Sequence, residues 1–265
     1  MKIALMDSGI GLLAAAAAMR RLRPDVDLVL SSDPDGMPWG PRTPADLTGR
    51  ALGVARAAAA LRPDALIIAC NTATVHALPA IRAELEPAIP VIGTVPAIKP
   101  AAAGGGGRVA IWATPATTGS PYQRGLIRDF AAGARVTEVP CPGLADAVEA
   151  GDEAAIATAV AAAAALTPAD VTDIVLGCTH YELVEPTVRA ALAERTGGAE
   201  LTYYGSAEPV AVQALRRIGA APAPELPRTG SLTVLLSGAE GALPAAALEY
   251  AEGRLLAGEG AAVAG

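Results

Sequence analysis

The chain has 265 residues, of which 52% are hydrophobic, and a formal net charge of −7. That length suits one large domain or two small ones. The acidic balance argues against nucleic acid as a main partner, because phosphate binding needs a basic face. No apolar run is long enough to span a bilayer, and no apolar leader ends at a cleavage site. With only three widely spaced cysteines, the sequence predicts a cytoplasmic protein with reduced thiols and no membrane partner.

Strand-like and helical patterns alternate along the chain. The strand-like segments are short apolar runs at Ile3–Met6, Val26–Ser31, Ala65–Ala69, Val91–Ile92, Val109–Ala113, Arg135–Val139, Ile174–Leu176 and Leu232–Leu236. Helical patterns occupy Leu12–Leu22, Pro44–Leu61, Leu78–Leu85, Gln123–Ala131, Leu144–Ala150, Glu153–Leu166, Pro186–Arg195 and roughly Leu243–Leu256. Such an alternation predicts the α/β class, with mostly parallel sheets flanked by helices on both faces.

Local signals refine this pattern. Thr43-Pro44 and Thr167-Pro168 each combine a helix N-cap residue with proline at the first helical position, so each predicts a helix start. The glycine run Gly104–Gly107 precedes a strand, whereas a phosphate-binding loop follows one. We therefore interpret this run as a linker between two halves of the chain.

Two segments, one in each half, look like copies of each other. Asp64–Thr72 reads DALIIACNT and Asp173–His180 reads DIVLGCTH, so each places a cysteine where a strand ends. Upstream, the strand Lys2–Met6 leads into Asp7, and Arg108–Ala113 leads into Thr114 at nearly the same spacing from the cysteine. We therefore predict two pseudo-symmetric lobes, the first made of residues 1–97 with about 207–265 and the second of residues 98–206. Ligands in open parallel sheets bind beyond the carboxyl ends of strands, so we expect the active site in the cleft between the lobes.

Cys70 and Cys178 are the leading candidates for chemistry. Buried cysteines at strand ends often act only as small hydrophobic residues. Here, however, polar residues follow both cysteines at matched places, and a thiol can be tuned to accept or donate a proton. His180, two residues after Cys178, could orient that thiol or act as a nearby acid, whereas Cys141, which lies between two prolines, is interpreted as structural.

Other chemistries receive weaker support from the sequence. Gly9-x-Gly11 after a strand, with Asp33 downstream, matches a dinucleotide fingerprint, but a carboxylate at Asp7 would repel a pyrophosphate. Two histidines without zinc-ligand spacing make a metal site improbable. Lys2 and Lys99 are poorly placed for a pyridoxal Schiff base. The sequence therefore predicts no cofactor and no metal.

Six motifs resemble those of the glutamate racemases, which belong to the cofactor-independent aspartate/glutamate racemase superfamily. They run in family order across most of the chain: Asp7-Ser8-Gly9-Ile10-Gly11, Pro38-Trp39-Gly40, Cys70-Asn71-Thr72-Ala73-Thr74, Pro90-Val91-Ile92-Gly93, Ala113-Thr114-Pro115-Ala116-Thr117 and Leu176-Gly177-Cys178-Thr179-His180-Tyr181. The resemblance implies a two-lobed isomerase that inverts the α-carbon of glutamate. Its product, D-glutamate, would enter peptidoglycan, the cell-wall polymer that maintains cell shape. The resemblance also implies an amino acid as the small-molecule partner, and a homodimer is a candidate assembly.

Site residues follow from the same resemblance, position by position. The catalytic group would be Cys70, Cys178, Asp7, His180 and Glu149, with the two thiols transferring the proton. Substrate would be held by Ser8, Pro38, Trp39, Gly40, Asn71, Thr72, Thr114, Thr117 and Thr179.

Five positions depart from the family pattern and bear on substrate choice. They are Leu12, Trp39 in place of the usual tyrosine, Val95, Glu182 in place of the usual proline, and Gly205 in place of a common aspartate. A superfamily relative acting on aspartate, a hydantoin or a small dicarboxylate is therefore an alternative. A nucleotide-binding or solute-binding protein is the alternative from outside the enzyme class.

Overall fold

A computed structural model describes residues 1–103 and 107–258 of the chain. The first three residues of the predicted linker Gly104–Gly107 lie outside the described residues. The chain divides into two compact units. Unit 1 comprises Met1–Val95 with the described residues of Ala207–Gly265, and unit 2 comprises Pro96–Ser206.

Strands and helices alternate through both units. The strands are β1 (Lys2–Met6), β2 (Asp27–Ser32), β3 (Ala65–Ile68), β4 (Val91–Gly93), β5 (Arg108–Ala113), β6 (Arg135–Pro140), β7 (Asp173–Leu176), β8 (Thr202–Tyr204), β9 (Leu232–Leu236) and β10 (Ala239–Gly241). The helices are α1 (Leu12–Leu22), α2 (Pro44–Ala60), α3 (Asn71–Leu85), α4 (Ile98–Ala103), α5 (Pro121–Phe130), α6 (Leu144–Ala150), α7 (Glu153–Leu166), α8 (Thr179–Glu182), α9 (Glu185–Arg195), α10 (Ala207–Arg217) and α11 (Ala251–Ala257). Short 3-10 helices occupy Pro34–Gly36 and Ala245–Glu249.

Unit 1 is built on a six-stranded sheet in the order β10-β9-β2-β1-β3-β4. Its pairings are parallel except for β10, which runs antiparallel to β9. Helices α1, α10 and α11 pack together, and α2 packs on α3. The α2–α3 layer buries a cluster of apolar side chains with Met6, Ile68 and Cys70, which places the strand ends of interest at the margin of a packed core.

Unit 2 is built on a four-stranded parallel sheet in the order β6-β5-β7-β8. Helix α4 packs on α5, while α6, α7 and α9 form a second helical group. The order β6-β5-β7-β8 repeats the order β2-β1-β3-β4 of unit 1 strand for strand. The two units therefore share one four-stranded plan, to which unit 1 adds β9 and β10.

The predicted α/β class with parallel-dominated sheets is confirmed, and the predicted strands match within two residues at each end. Two predictions were wrong. Thr167 ends α7 instead of starting a helix, and Leu243–Leu256 is divided at Tyr250 into a 3-10 helix and α11. Helix α3 begins directly after Cys70, seven residues before the predicted Leu78. Among the described residues, no helix is both long and apolar enough to cross a membrane.

Candidate functional site

The first group of site residues lies where β1 and β3 of unit 1 end. Met6 pairs with Ile68 in a parallel register, and the Ala69 N–H donates to the Met6 carbonyl at 2.8 Å. Asp7 and Cys70 therefore follow neighbouring strands at the carboxyl end of the sheet. Open parallel sheets bind ligands beyond the carboxyl ends of their strands.

Asp7 and Ser8 form a small buried unit. Asp7 is fully buried and Ser8 is 8% exposed. The Asp7 Oδ1 accepts the Ser8 N–H at 2.7 Å and faces the Ser8 hydroxyl at 3.4 Å. These hydrogen bonds hold the Asp7 carboxyl group in a defined orientation beside the segment that follows β1.

Cys70 stands at the N-cap of α3 with an extended backbone. Its side chain is buried, as is that of Asn71, and Thr72 is half-buried in the first turn of the helix. The N–H groups of a first turn have no partner within the helix and attract negative charge. The Cys70 thiol therefore lies beside the positive end of the helix dipole.

The segment Pro38-Trp39-Gly40 follows β2 in the same unit. Pro38 and Gly40 are exposed, whereas the Trp39 indole is buried in the α2–α3 core. The indole N–H donates to Asp33 Oδ2 at 3.0 Å. Any ligand contact at Trp39 must therefore come from its backbone. Asp33, which forms part of the possible dinucleotide fingerprint in the sequence, instead anchors this tryptophan and also accepts from Ser237 Oγ at 3.2 Å.

The second group lies where β7 of unit 2 ends, at Cys178. Trp112 pairs with Leu176, and the Gly177 N–H donates to the Trp112 carbonyl at 2.8 Å. A Cβ at Gly177 would come within 2.6 Å of that carbonyl oxygen, so the close approach of β7 to β5 requires glycine. Cys178 then stands at the N-cap of α8, as Cys70 does at α3.

His180 connects Cys178 to the half-buried carboxylate of Glu149. The Cys178 Sγ lies 3.8 Å from His180 Nδ1, and His180 Nε2 lies 2.9 Å from Glu149 Oε2. Both His180 and Glu149 are largely shielded from solvent. An imidazole held by a carboxylate on one nitrogen presents the other nitrogen in a defined orientation. The structure thus brings together Cys178, His180 and Glu149.

Threonine hydroxyls complete the unit 2 strand ends. Thr114 follows β5, and its Oγ1 donates to Thr117 Oγ1 at 3.2 Å, while Thr179 is buried in the first turn of α8. The register also corrects the spacing argument made from the sequence. The residue after Trp112, which corresponds to Asp7, is Ala113. Thr114 therefore corresponds to Ser8, and no carboxylate stands at that position of β5.

Cys141 differs sharply from Cys178 in the same unit. Burial, together with the nearby Cys178 thiol, raises the pKa of Cys141 to about 12, so it remains a protonated thiol near neutral pH. Its carbonyl accepts the Tyr181 hydroxyl at 3.3 Å. These contacts agree with a structural role for Cys141.

The chain is similar to known proteins in both sequence and fold. The family model for Asp/Glu/Hydantoin racemase matches residues 11–198. The chain is 38% identical over 198 residues to a glutamate racemase of Roseiflexus sp. (strain RS-1), covering 73% of this chain and 72% of that protein. It is 34% identical over 222 residues to a glutamate racemase of Pseudomonas putida (strain KT2440), covering 82% of each.

Among solved structures, the fold is similar to that of Escherichia coli glutamate racemase in complex with L-glutamate and the activator UDP-MurNAc-ala. The TM-score is 0.77 at 25% sequence identity, with 94% of this chain and 91% of that chain covered.

Proposed function

The chain belongs to the Asp/Glu/hydantoin racemase family, and we propose that it interconverts L- and D-glutamate with Cys70 and Cys178 as the two proton-transfer groups. The observation that carries the proposal is the repeated strand plan. In each unit a cysteine caps the helix that follows the third strand of the plan. The glutamate racemase names of the related proteins support glutamate as the substrate.

The use of two thiols has a stereochemical reason. Inversion at an α-carbon requires that a proton leave one face and a proton arrive at the opposite face. One cysteine, as the thiolate, removes the α-proton and becomes a thiol. The other cysteine, as the thiol, gives its proton to the opposite face and becomes the thiolate. Proton count and charge balance without an external oxidant or reductant, and the reverse reaction exchanges the two roles.

Neighbouring groups would tune each thiol. In unit 1 the Asp7 carboxylate leaves the strand next to that of Cys70. In unit 2 the His180 imidazole faces Cys178 and is held by Glu149. General acid–base groups work best when their pKa lies near the operating pH, and such neighbours are the usual means of setting it.

The α-proton of an amino acid is a very weak acid, so the carbanion-like state needs stabilisation. Preorganised donors around the substrate carboxylate supply it. We assign this role to the first-turn N–H groups of α3 and α8 and to the polar residues at the strand ends. These residues are Ser8, Asn71, Thr72, Thr114, Thr117 and Thr179, with the backbone of Pro38-Trp39-Gly40.

Aspartate or a hydantoin is the second candidate substrate, because the family includes racemases that act on them. Its description covers aspartate and hydantoin as well as glutamate, and Trp39 replaces the tyrosine usual in glutamate racemases. Proton transfer by two thiols is independent of the side chain, whereas the segments around it select the side chain. An aspartate or hydantoin racemase would therefore keep the same chemistry.

The proposed physiological role is the supply of D-glutamate for peptidoglycan. We expect the reaction to run in the cytoplasm, where reducing conditions keep the three free cysteines as thiols. Growth of a D-glutamate-requiring bacterium expressing this chain would support the role. Failure of growth with a purified protein that is active in the test tube would contradict it.

The decisive test is proton NMR of the purified protein with L-glutamate in deuterated water, with no cofactor added. We expect the α-proton signal to disappear as D-glutamate appears on a chiral column. Persistence of the α-proton would reject glutamate. The same measurement with L-aspartate and with a hydantoin would then decide between the remaining substrates.

A further inference from the structure

The residue four positions after each cysteine makes a similar contact in both units. In unit 1 this residue is Thr74, and its Oγ1 accepts the Thr94 N–H at 3.2 Å. In unit 2 it is Glu182, and its Oε1 accepts the Ser206 N–H at 2.8 Å. Each donor residue follows the strand that neighbours the cysteine-bearing strand. The two contacts therefore occupy equivalent places in the repeated plan.

A glycine precedes the donor in both units. Gly93 pairs with Ile68, and Gly205 follows Tyr204, which pairs with Val175. A Cβ at Gly93 would lie 2.6 Å from Thr74 Cγ2, and a Cβ at Gly205 would clash with Glu182 Oε2. The acceptor side chain thus fills the space that a side chain on the neighbouring strand would need.

From this repetition, and resting on the proposed function, we propose that Thr74–Thr94 and Glu182–Ser206 are equivalent positioning pairs, each of which fixes the helix N-terminus that carries one thiol. Neither pair includes a residue of the proposed chemistry. Each pair ties the first turn of a cysteine-capped helix to the end of the adjacent strand. Thiol position matters because a displacement of about 1 Å can lower turnover about a hundredfold.

The unit 2 helix depends on its pair more strongly. Helix α8 has only four residues, too few to be stable through its own hydrogen bonds. Tyr181 ties it towards β6 through the Cys141 carbonyl, and Glu182 ties it towards β8 through Ser206. The short helix is therefore held from both edges of the sheet.

The two pairs also differ in strength. Glu182 Oε1 accepts the Ser206 hydroxyl at 2.8 Å as well as its N–H, and hydrogen bonds to a carboxylate are stronger than neutral ones. Thr74 is neutral, and the Thr94 N–H is shared with the Ile68 carbonyl at 3.2 Å. Helix α3, with 15 residues, is also longer. We therefore expect a larger effect from loss of the Glu182 contact.

Thiol labelling tests the proposal without relying on racemase activity. The reagent is methyl methanethiosulfonate, and labelling of each cysteine is followed by peptide mass spectrometry in E182A and T74V. We expect E182A to change the labelling rate of Cys178 by about threefold or more and to leave Cys70 unchanged. T74V should change Cys70 alone. Equal changes at both cysteines, or none, would overturn the proposal.

Conservative variants separate positioning from charge and from misfolding. E182Q and T74S keep an oxygen that can accept the backbone N–H, so each should restore labelling close to that of the wild type. If E182Q behaves like E182A, the carboxylate acts through its charge and the positioning role is wrong. Circular dichroism confirms that each compared variant is folded.

Isotope effects on racemisation add a readout that a purely structural role would not move. With α-deuterated L- and D-substrates, E182A should increase the isotope effect for one enantiomer and decrease it for the other. T74V should do the opposite, because it slows transfer at the other thiol. The same pattern in both variants would overturn the proposal. A wild-type protein that fails to racemise would refute the proposed function, while the labelling result would still decide the positioning role.

Discussion

The two thiol sites share a scaffold but differ in the groups that surround the thiol. In both units a cysteine caps the helix after the third strand of the plan, and the register of neighbouring strands is the same. Unit 1 places the buried carboxylate of Asp7 at the adjacent strand end. Unit 2 has Ala113 there and uses His180 held by Glu149. The fold thus repeats the position of the thiol and varies the groups that lie beside it.

This difference has a defined kinetic consequence. Enantiomers have equal free energies in water, so the equilibrium constant of racemisation is one and kcat/KM must be equal in both directions. A change at one site therefore lowers both directions together. The asymmetry between the sites becomes visible only in measurements that follow a single proton transfer, such as isotope effects or exchange of the α-proton with solvent.

The largest expected effect is the loss of either thiol. We expect C70A and C178A each to lower racemisation by at least about a thousandfold, because general acid–base groups contribute up to about 10⁴-fold and both transfers are required. Coupled enzymatic detection of D-glutamate from L-glutamate, and of the reverse reaction, measures the loss.

C141A is the matched control for these variants, since Cys141 is a buried thiol in unit 2 with a pKa raised to about 12. It should remain active. Turnover by C70A or C178A at more than a tenth of the wild-type rate would refute the two-thiol account. It would also remove the basis for comparing the two sites.

Sequence patterns predicted the parts of the sites that depend on local order along the chain. The apolar runs before Cys70 and Cys178 predicted strands, and β3 and β7 are found there. The helices α3 and α8 that begin directly after the two cysteines were not predicted. The role of Glu149 could not be read in this way, because its contact with His180 joins residues 31 positions apart. The family resemblance, and not the pattern, singled out Glu149.

Two further features could not be predicted from the sequence, for physical reasons. The correspondence between Asp7 and Ala113 depends on strand register, which one residue of difference in spacing obscures. Helix α8 is too short to give a periodic signal, so the contacts made by Glu182 emerge only from tertiary structure. The departure of Glu182 from the family pattern was the available signal, and its meaning required the position of Ser206.

A smaller effect tests whether each thiol is tuned by its own neighbours. We expect E149Q, H180N and D7N each to lower kcat by about ten- to a hundredfold. His180 and Glu149 form one hydrogen-bonded unit, so the E149Q/H180N double variant should be little worse than H180N alone. D7N and E149Q should slow different proton transfers of one sequence, so the turnover time of the double variant should be about the sum of those of the two single variants.

The opposite results in these double variants would contradict the view that each thiol is tuned by its own neighbours. Additive effects of E149Q and H180N would mean that Glu149 does not act through His180. A D7N/E149Q variant whose fold-loss is the product of the two single losses would mean that both residues act on the same proton transfer, and the two sites would then not be tuned separately. Steady-state kinetics on the wild type, the two single variants and the double variant of each pair, with folded protein confirmed by circular dichroism, measure both cases.

The smallest expected effect concerns a feature of unit 1 without a counterpart of similar length in unit 2. Residues 33–43 connect β2 to α2, whereas residues 141–143 connect β6 to α6. In the longer connection, Asp33 holds the Trp39 indole and so fixes the Pro38-Trp39-Gly40 backbone. We expect W39F to raise KM several-fold with little change in kcat, because it loosens substrate binding and not proton transfer.

The matched control is S237A, which removes a different hydrogen bond to Asp33, at Oδ1, and leaves the indole contact intact. W39F loses one hydrogen bond, whereas S237A loses two, because Ser237 Oγ also accepts the Asp35 N–H at 3.2 Å. Each hydrogen bond is worth about 1 kcal/mol of unfolding free energy, so both variants should be destabilised and stability alone does not separate them. KM does: it should rise in W39F and stay near the wild-type value in S237A. An equal rise in both would mean that Asp33 acts through the whole connection. An unchanged KM in W39F would show that substrate selection lies outside this segment, and the two units would then differ in thiol tuning alone.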